Sequence, residues 1–301
     1  MDLFSPLVPE SEWHPNFKVL MTPGFGDAER ATVLGWANNF RDRDGKFVKE
    51  FQTTFNSSFW ELYLNATFQM LGYSIDYSVN RPDFVLSHPT QELTAEAVIA
   101  SNSEGHRPEW DRPFEIIENH DRTEVIDLAT IRIANSIWSK YQKFKSGYES
   151  LSHVSGKPFV ICVAPFEQPL FFVQNDHALR RVLYGYDQPL WITGPDGSKI
   201  IVGEARLDNA IKDNGAVIPL GFFSSANRRG HTQSWLIRRR ESSDVAAKCA
   251  IIRNGRKSDH SCTSPTSSPR PASSNRARMH STAAFVIRRS TPNSRAIDVA
   301  V

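Results

Sequence analysis

The segment Phe159-Val160-Ile161-Cys162-Val163-Ala164 contains no polar residue. A strand this apolar has no face to give to water, so it belongs inside a sheet covered on both sides. Upstream, Thr123–Tyr148 sets Ile126, Ala129, Ile133, Ile137, Lys140/Tyr141 and Phe144 along one stripe, the pattern of a long amphipathic helix. A helix with one apolar stripe beside a doubly buried strand predicts that the two pack together. Around them the spacing predicts helices over Asp27–Phe40, Phe59–Leu71 and Asn175–Tyr184, with Gly72 closing the second as a left-handed cap. Strands are predicted at Tyr73–Val79, Phe84–Leu86, Leu93–Ala100 and Ala216–Phe223, and a hairpin at Leu190–Thr193 and Lys199–Val202 around Gly194-Pro195-Asp196-Gly197. That order gives an α/β fold, a central mixed β-sheet flanked by helices.

The chain obeys two compositional rules. Residues 1–227 carry 20 Lys+Arg against 29 Asp+Glu, while residues 228–301 carry 15 against 4. The second part is rich in Arg, Ser and Pro and has little apolar periodicity, so it cannot bury enough surface to offset the entropy of ordering. It is read as a disordered basic tail, or as sequence out of frame with the rest. Its charge also suits phosphate contacts. The remainder divides into an N-terminal helical arm at residues 1–57 and an α/β core at 58–227. Three cysteines exclude a disulfide scaffold. No apolar run is long enough to span a bilayer. The amino end has no basic region followed by an apolar stretch, so a cytoplasmic protein is expected. Asp42-Arg43-Asp44-Gly45 resembles part of a calcium loop, but an EF-hand alignment puts Phe40 and Phe51 at ligand positions, which excludes it. No histidine pair has the i, i+4 spacing of a zinc helix, and no P-loop or nucleophile elbow is present.

The chemistry concentrates at two acids. On a strand at Leu93–Ala100, Leu93, Ala95, Ala97 and Ile99 share one face and Thr94, Glu96 and Val98 the other. Glu96 therefore sits mid-strand among apolar neighbours, where an unpaired charge is costly. Asp83, after Pro82 at the start of the preceding strand, lies beside it if the two strands pair. Two such carboxylates make an oxygen-rich site suited to Mg²⁺ or Mn²⁺. Glu61 on the preceding helix can add a third carboxylate, and Lys140 on the inward stripe can project toward the sheet. Lys143 lies less squarely on that stripe. Each residue has a plainer reading as well. Ser58-Phe59-Trp60-Glu61 fits a capping box, Asp83 fits a turn cap, and Lys140 fits a side chain lying along the helix flank.

Glu61 on a first core helix, Pro82-Asp83 at a strand start and Glu96 in the next strand together resemble the PD-(D/E)XK nuclease superfamily. The resemblance covers Ser58–Ala164. It implies a restriction-endonuclease-like fold and a metal-dependent phosphodiesterase acting on nucleic acid. In that picture Asp83, Glu96 and the Ala97 carbonyl bind Mg²⁺ or Mn²⁺, and Glu61 and Lys140 complete the catalytic set. The family's lysine, two residues after the second acid, is Val98 here; some members carry it on a nearby helix, which makes Lys140 the candidate. The alternative is a non-catalytic α/β binding or scaffold protein on the same fold, which Val98 and the acidic balance of residues 1–227 favour. Asp42–Phe51 and Ala164–Pro169 are also similar to blocks in uncharacterised bacterial proteins, a likeness that implies no activity.

Overall fold

The computed structural model describes residues 1–24, 26–103, 105–108, 122–166, 171–223, 235–236 and 284–288. Four helices lead: α1 (Pro15–Met21), α2 (Asp27–Ala37), α3 (Phe47–Thr53) and α4 (Phe55–Met70). The strands β1 (Ser74–Ile75), β2 (Phe84–His88) and β3 (Gln91–Ile99) follow, then the long helix α5 (Arg122–Lys143) with a π-helical turn at Phe144–Tyr148. After β4 (Phe159–Ala164) and α6 (Phe171–Tyr184) come β5 (Tyr186–Thr193), β6 (Lys199–Arg206), β7 (Asn209–Ile211), β8 (Val217–Pro219), β9 (Trp235–Leu236) and β10 (Ala284–Arg288).

The main sheet runs β1-β2-β3-β4-β10-β9. It is mixed: β3 and β4 are parallel, Glu96 opposite Ile161, and the other pairs are antiparallel. The expected pairing of Leu93–Ala100 with Phe159–Ala164 is present. Every residue of β4 is buried. Val160, Cys162 and Ala164 pack on Trp60, Leu64 and Phe68 of α4, while Phe159, Ile161 and Val163 pack on Ile133, Ile137 and Phe144 from the α5 side. Burial holds the Cys162 thiol well above its ordinary pKa, as suits a core residue. The Trp60 indole N–H donates to the Cys162 carbonyl at 3.0 Å, and the Arg132 guanidinium on α5 donates to the carbonyls of Ala100 and Pro165, fixing both helices to the strand ends. Replacing Ile137 by alanine is expected to cost about 2–5 kcal/mol in urea unfolding, the ordinary penalty for a buried Ile→Ala cavity. Loss of less than 1 kcal/mol would show that the stripe does not carry the packing.

Several boundaries differ from expectation. Pro15–Met21 and Phe47–Thr53 are separate helices that the sequence placed only within a helical arm at residues 1–57, and aromatic packing sets them: Phe17, Phe51, Phe55 and Phe59 form one cluster with Leu62 of α4. Helix α4 starts at Phe55, and Gly72 follows it at φ 84°, closing it as foreseen. The strand expected over Tyr73–Val79 shrinks to two residues, and Ala216–Phe223 to Val217–Pro219, which pairs with β7 outside the main sheet. The basic tail, expected outside the core, supplies Ala284–Arg288 to the edge of β4. The physical reason is that Ala-Phe-Val-Ile is a strand-forming run and an uncovered β4 edge leaves backbone groups unpaired. The rest of the tail expectation falls outside the described residues. Among the described residues, no helix is long and apolar enough to cross a membrane.

Candidate active site: a carboxylate–lysine cluster at the end of the strand ladder

The β2–β3 register, Phe84 opposite Ala95, brings Asp83 and Glu96 together at the next step outward. Pro82 has no N–H to extend the ladder, and the Asp83 side chain takes over. Its Oδ2 accepts the Ala97 N–H at 2.8 Å, while the Asp83 N–H makes a long 3.4 Å contact to Glu96 Oε2. This bond is no turn cap, since Ala97 lies on the neighbouring strand, and it leaves the other carboxylate oxygen of Asp83 to the site.

Alternation along β3 turns Ala95 and Ala97 toward α4 and Glu96 and Val98 toward α5. Glu96 is only 1% exposed. Its Oε1 receives Lys140 Nζ at 2.8 Å, Lys143 Nζ at 3.1 Å and the Tyr148 hydroxyl at 3.4 Å. Lys140 therefore points inward, as its place on the stripe suggested, and does not lie along the flank. Lys143 does the same, which corrects its lower placement: i and i+3 share a helix face. Tyr148 arrives through the π-helical turn, and Lys143 Nζ also lies 5.2 Å from its ring centroid. Both lysines and the tyrosine come from one continuous stretch. Val98, at the family's lysine position, instead packs with the apolar cluster under α5.

Glu61 stands on α4, and the capping-box reading fails because the helix begins six residues earlier, at Phe55, with no side-chain cap at Thr54. Its Oε1 pairs with Arg43 Nη2 at 3.4 Å. Glu61 makes no hydrogen bond to Asp83 or Glu96; it joins the cluster through its field. Burial first, and then the Asp83 charge, push Glu61 up to about 7, with Arg43 opposing and Glu50 adding. Asp83 is pushed up to about 6 by burial and by Glu96, against the Ala97 N–H, Lys140 and Lys143. Lys143 is raised: burial acts to lower it, but Tyr148 and Glu96 outweigh that. Tyr148 is raised by burial and by Glu96, against the Lys143 hydrogen bond.

The donor set suits a hard divalent ion. Asp83 Oδ1 and Glu61 Oε2 accept no hydrogen bond from the described residues, and Glu96 Oε2 has only its long amide contact. The Ala97 N–H points toward Asp83, and a strand residue's C=O leaves the same edge as its N–H. Among the described residues, no three His, Cys, Asp or Glu side chains are grouped closely enough to hold a metal ion. A cation here would rest on two carboxylates, a carbonyl and water, a common arrangement for Mg²⁺. Sequence reasoning missed Arg43 and Tyr148, and only the i, i+3 spacing from Lys140 signalled Lys143. No family model, curated protein or solved structure matches the chain.

Proposed function

We propose that the protein is a metal-dependent phosphodiesterase of restriction-endonuclease-like architecture, acting on nucleic acid in the cytoplasm. The observation that carries this reading is the buried Glu96, adjacent to Asp83 and held by two ammonium groups from one helix. Asp83, Glu96 and the Ala97 carbonyl would hold Mg²⁺ or Mn²⁺, which supplies an activated water and stabilises charge on the phosphate. Lys140 and Lys143 offer the positive charge that Val98 cannot. Both are already oriented by Glu96, and Lys140 is the more enclosed of the two, so little reorganisation is needed to meet a developing oxyanion. The raised Glu61 carboxyl, which this reading leaves off the metal, can exchange a proton near neutral pH, the range useful to a general acid or base.

A second reading has its own observation. Glu96 Oε1 is already occupied by the chain's own lysines, which suits a closed ion-pair cluster in a non-catalytic binding or scaffold protein. Cleavage assays on single-stranded DNA, duplex DNA and RNA, with Mn²⁺ or with EDTA, separate the two. Under the first reading wild type cuts at least one substrate only with metal, and Glu96→Ala lowers the rate about 10³-fold or more. Absence of cutting, together with no metal-dependent rise in Tm, supports the scaffold.

A further inference from the structure

A cleft of about 690 Å³, lined among others by Arg41, Arg43, Tyr73, Tyr77 and Gln69, reaches the candidate site through Arg43; Glu61, Asp83 and Glu96 lie outside its lining. That is within the roughly 300–1,000 Å³ of clefts that enclose a ligand-sized group. Arg43 joins it to the candidate site, because its Nη1 donates to the Val79 carbonyl at 3.0 Å and its Nη2 reaches Glu61. The guanidinium of Arg41 lies over the Tyr77 ring, 5.8 Å from the centroid, and makes no hydrogen bond to the described residues. Tyr77 is held in place by its hydroxyl, which lies within hydrogen-bond reach of the Asn39 carbonyl at 3.2 Å and of the Asn65 side-chain oxygen and gives its one proton to either. The two acids of the lining are committed to turns. Asp42 accepts the N–H groups of Gly45 at 2.9 Å and Phe47 at 3.1 Å, and Asp76 accepts that of Ser78 at 2.8 Å.

We infer that this cleft receives a single-stranded nucleic-acid segment on its way to the carboxylates. A guanidinium held at cation–π distance from a fixed aromatic ring can present a planar face to a base and a fork of donors to a phosphate. Such platforms select strands whose bases are unstacked, since a duplex keeps its base faces inside. The lining holds two acids beside its two arginines, so binding relies more on stacking than on a basic groove. The cleft's share of binding therefore varies little with salt, about that of one phosphate contact. The inference rests on the phosphodiesterase reading for its direction, but binding tests it separately.

The test is fluorescence anisotropy of a labelled ten-nucleotide oligo(dT) and of a hairpin duplex of equal length, in EDTA, with the full-length chain. Wild type is expected to prefer the single strand. Arg41→Ala should weaken that binding about tenfold, and Arg41→Lys should recover only part of it, because an ammonium does not stack. Unchanged thermal unfolding of Arg41→Lys confirms that the loss is local. Equal affinity for strand and duplex, or unchanged affinity in Arg41→Ala, overturns the inference. If wild type cuts nothing in Mn²⁺ yet Arg41→Ala loses the strand, the cleft stands and the phosphodiesterase reading falls. If wild type cuts and Arg41→Ala leaves both affinity and KM unchanged, the opposite holds.

Discussion

The double variant Lys140→Met/Lys143→Met is expected to lose about 3–5 kcal/mol of stability at pH 8, the cost of leaving a buried carboxylate without its cation. Each single variant should lose only about 1–2 kcal/mol, because the other ammonium still reaches the same oxygen of Glu96. The double loss should therefore exceed the sum of the singles, a coupling that a double-mutant cycle in urea measures directly. Lys145→Met is the control. It breaks an exposed i, i+4 pair with Glu149 and should cost less than about 0.5 kcal/mol. A strictly additive double variant would mean that the two lysines do not share one charge. If cleavage is observed, Lys140→Met should also slow it about 10²–10³-fold, as loss of one oriented donor does.

Metal-free protein is expected to become less stable between about pH 5 and pH 8. Glu61 and Asp83 both have folded-state pKa values above their ordinary ones, at about 7 and about 6. The folded state thus binds their protons more tightly than the unfolded chain. That stabilisation is complete below the unfolded carboxyl pKa and disappears as pH rises through the folded values. The groups that set it are Asp83, Glu50 and Arg43 around Glu61, and Glu96, Lys140 and Lys143 around Asp83. The combined change should be on the order of 2 kcal/mol, given the partial exposure of Glu61. Mg²⁺ or Mn²⁺ binds the ionised carboxylates, so the Tm increase on adding either should be larger at pH 8 than at pH 5. Glu61→Gln should flatten the metal-free profile, and Glu96→Ala should abolish the metal-dependent increase. A Tm that ignores both ions at pH 8 removes the metal from the site.

How much of this was legible in the sequence depends on the range of the interaction. Period-2 alternation along Leu93–Ala100 puts Glu96 on the face opposite Ala95, and helical spacing puts Lys140 on the inward stripe. Those two local rules suffice to make the pair meet, because β3 and β4 are joined by the helix that carries Lys140. The apolar Phe159–Ala164 likewise declared a strand buried on both faces. Glu61 was harder. Its local context fits a capping box, and only the aromatic packing that starts α4 at Phe55 moves it into the helix body. Tyr148 depended on a π-helical turn, whose extra residue per turn shifts every later side chain and leaves no periodic trace. Arg43 reaches Glu61 from a loop whose shape is set by Asp42 accepting three backbone N–H groups, a local device that resembles a calcium loop in sequence. The tail strand was missed because a short apolar run in a basic segment gives no sign of which open edge it meets.

The hydrogen bond from the Ala97 N–H to Asp83 has a spectroscopic consequence. Its neighbours on that strand edge donate to peptide carbonyls, whose acceptor strength does not change with pH. The Ala97 amide ends on a carboxylate that does change, and it does so at 2.8 Å. Its proton resonance should therefore move downfield as Asp83 ionises, in a curve that also carries the step of the coupled Glu61, and by more than any other β3 amide. A ¹⁵N-labelled sample thus carries a built-in indicator at the carboxylate pair: one cross-peak that reports the charge on Asp83 without a substrate, a dye or a substitution in the protein.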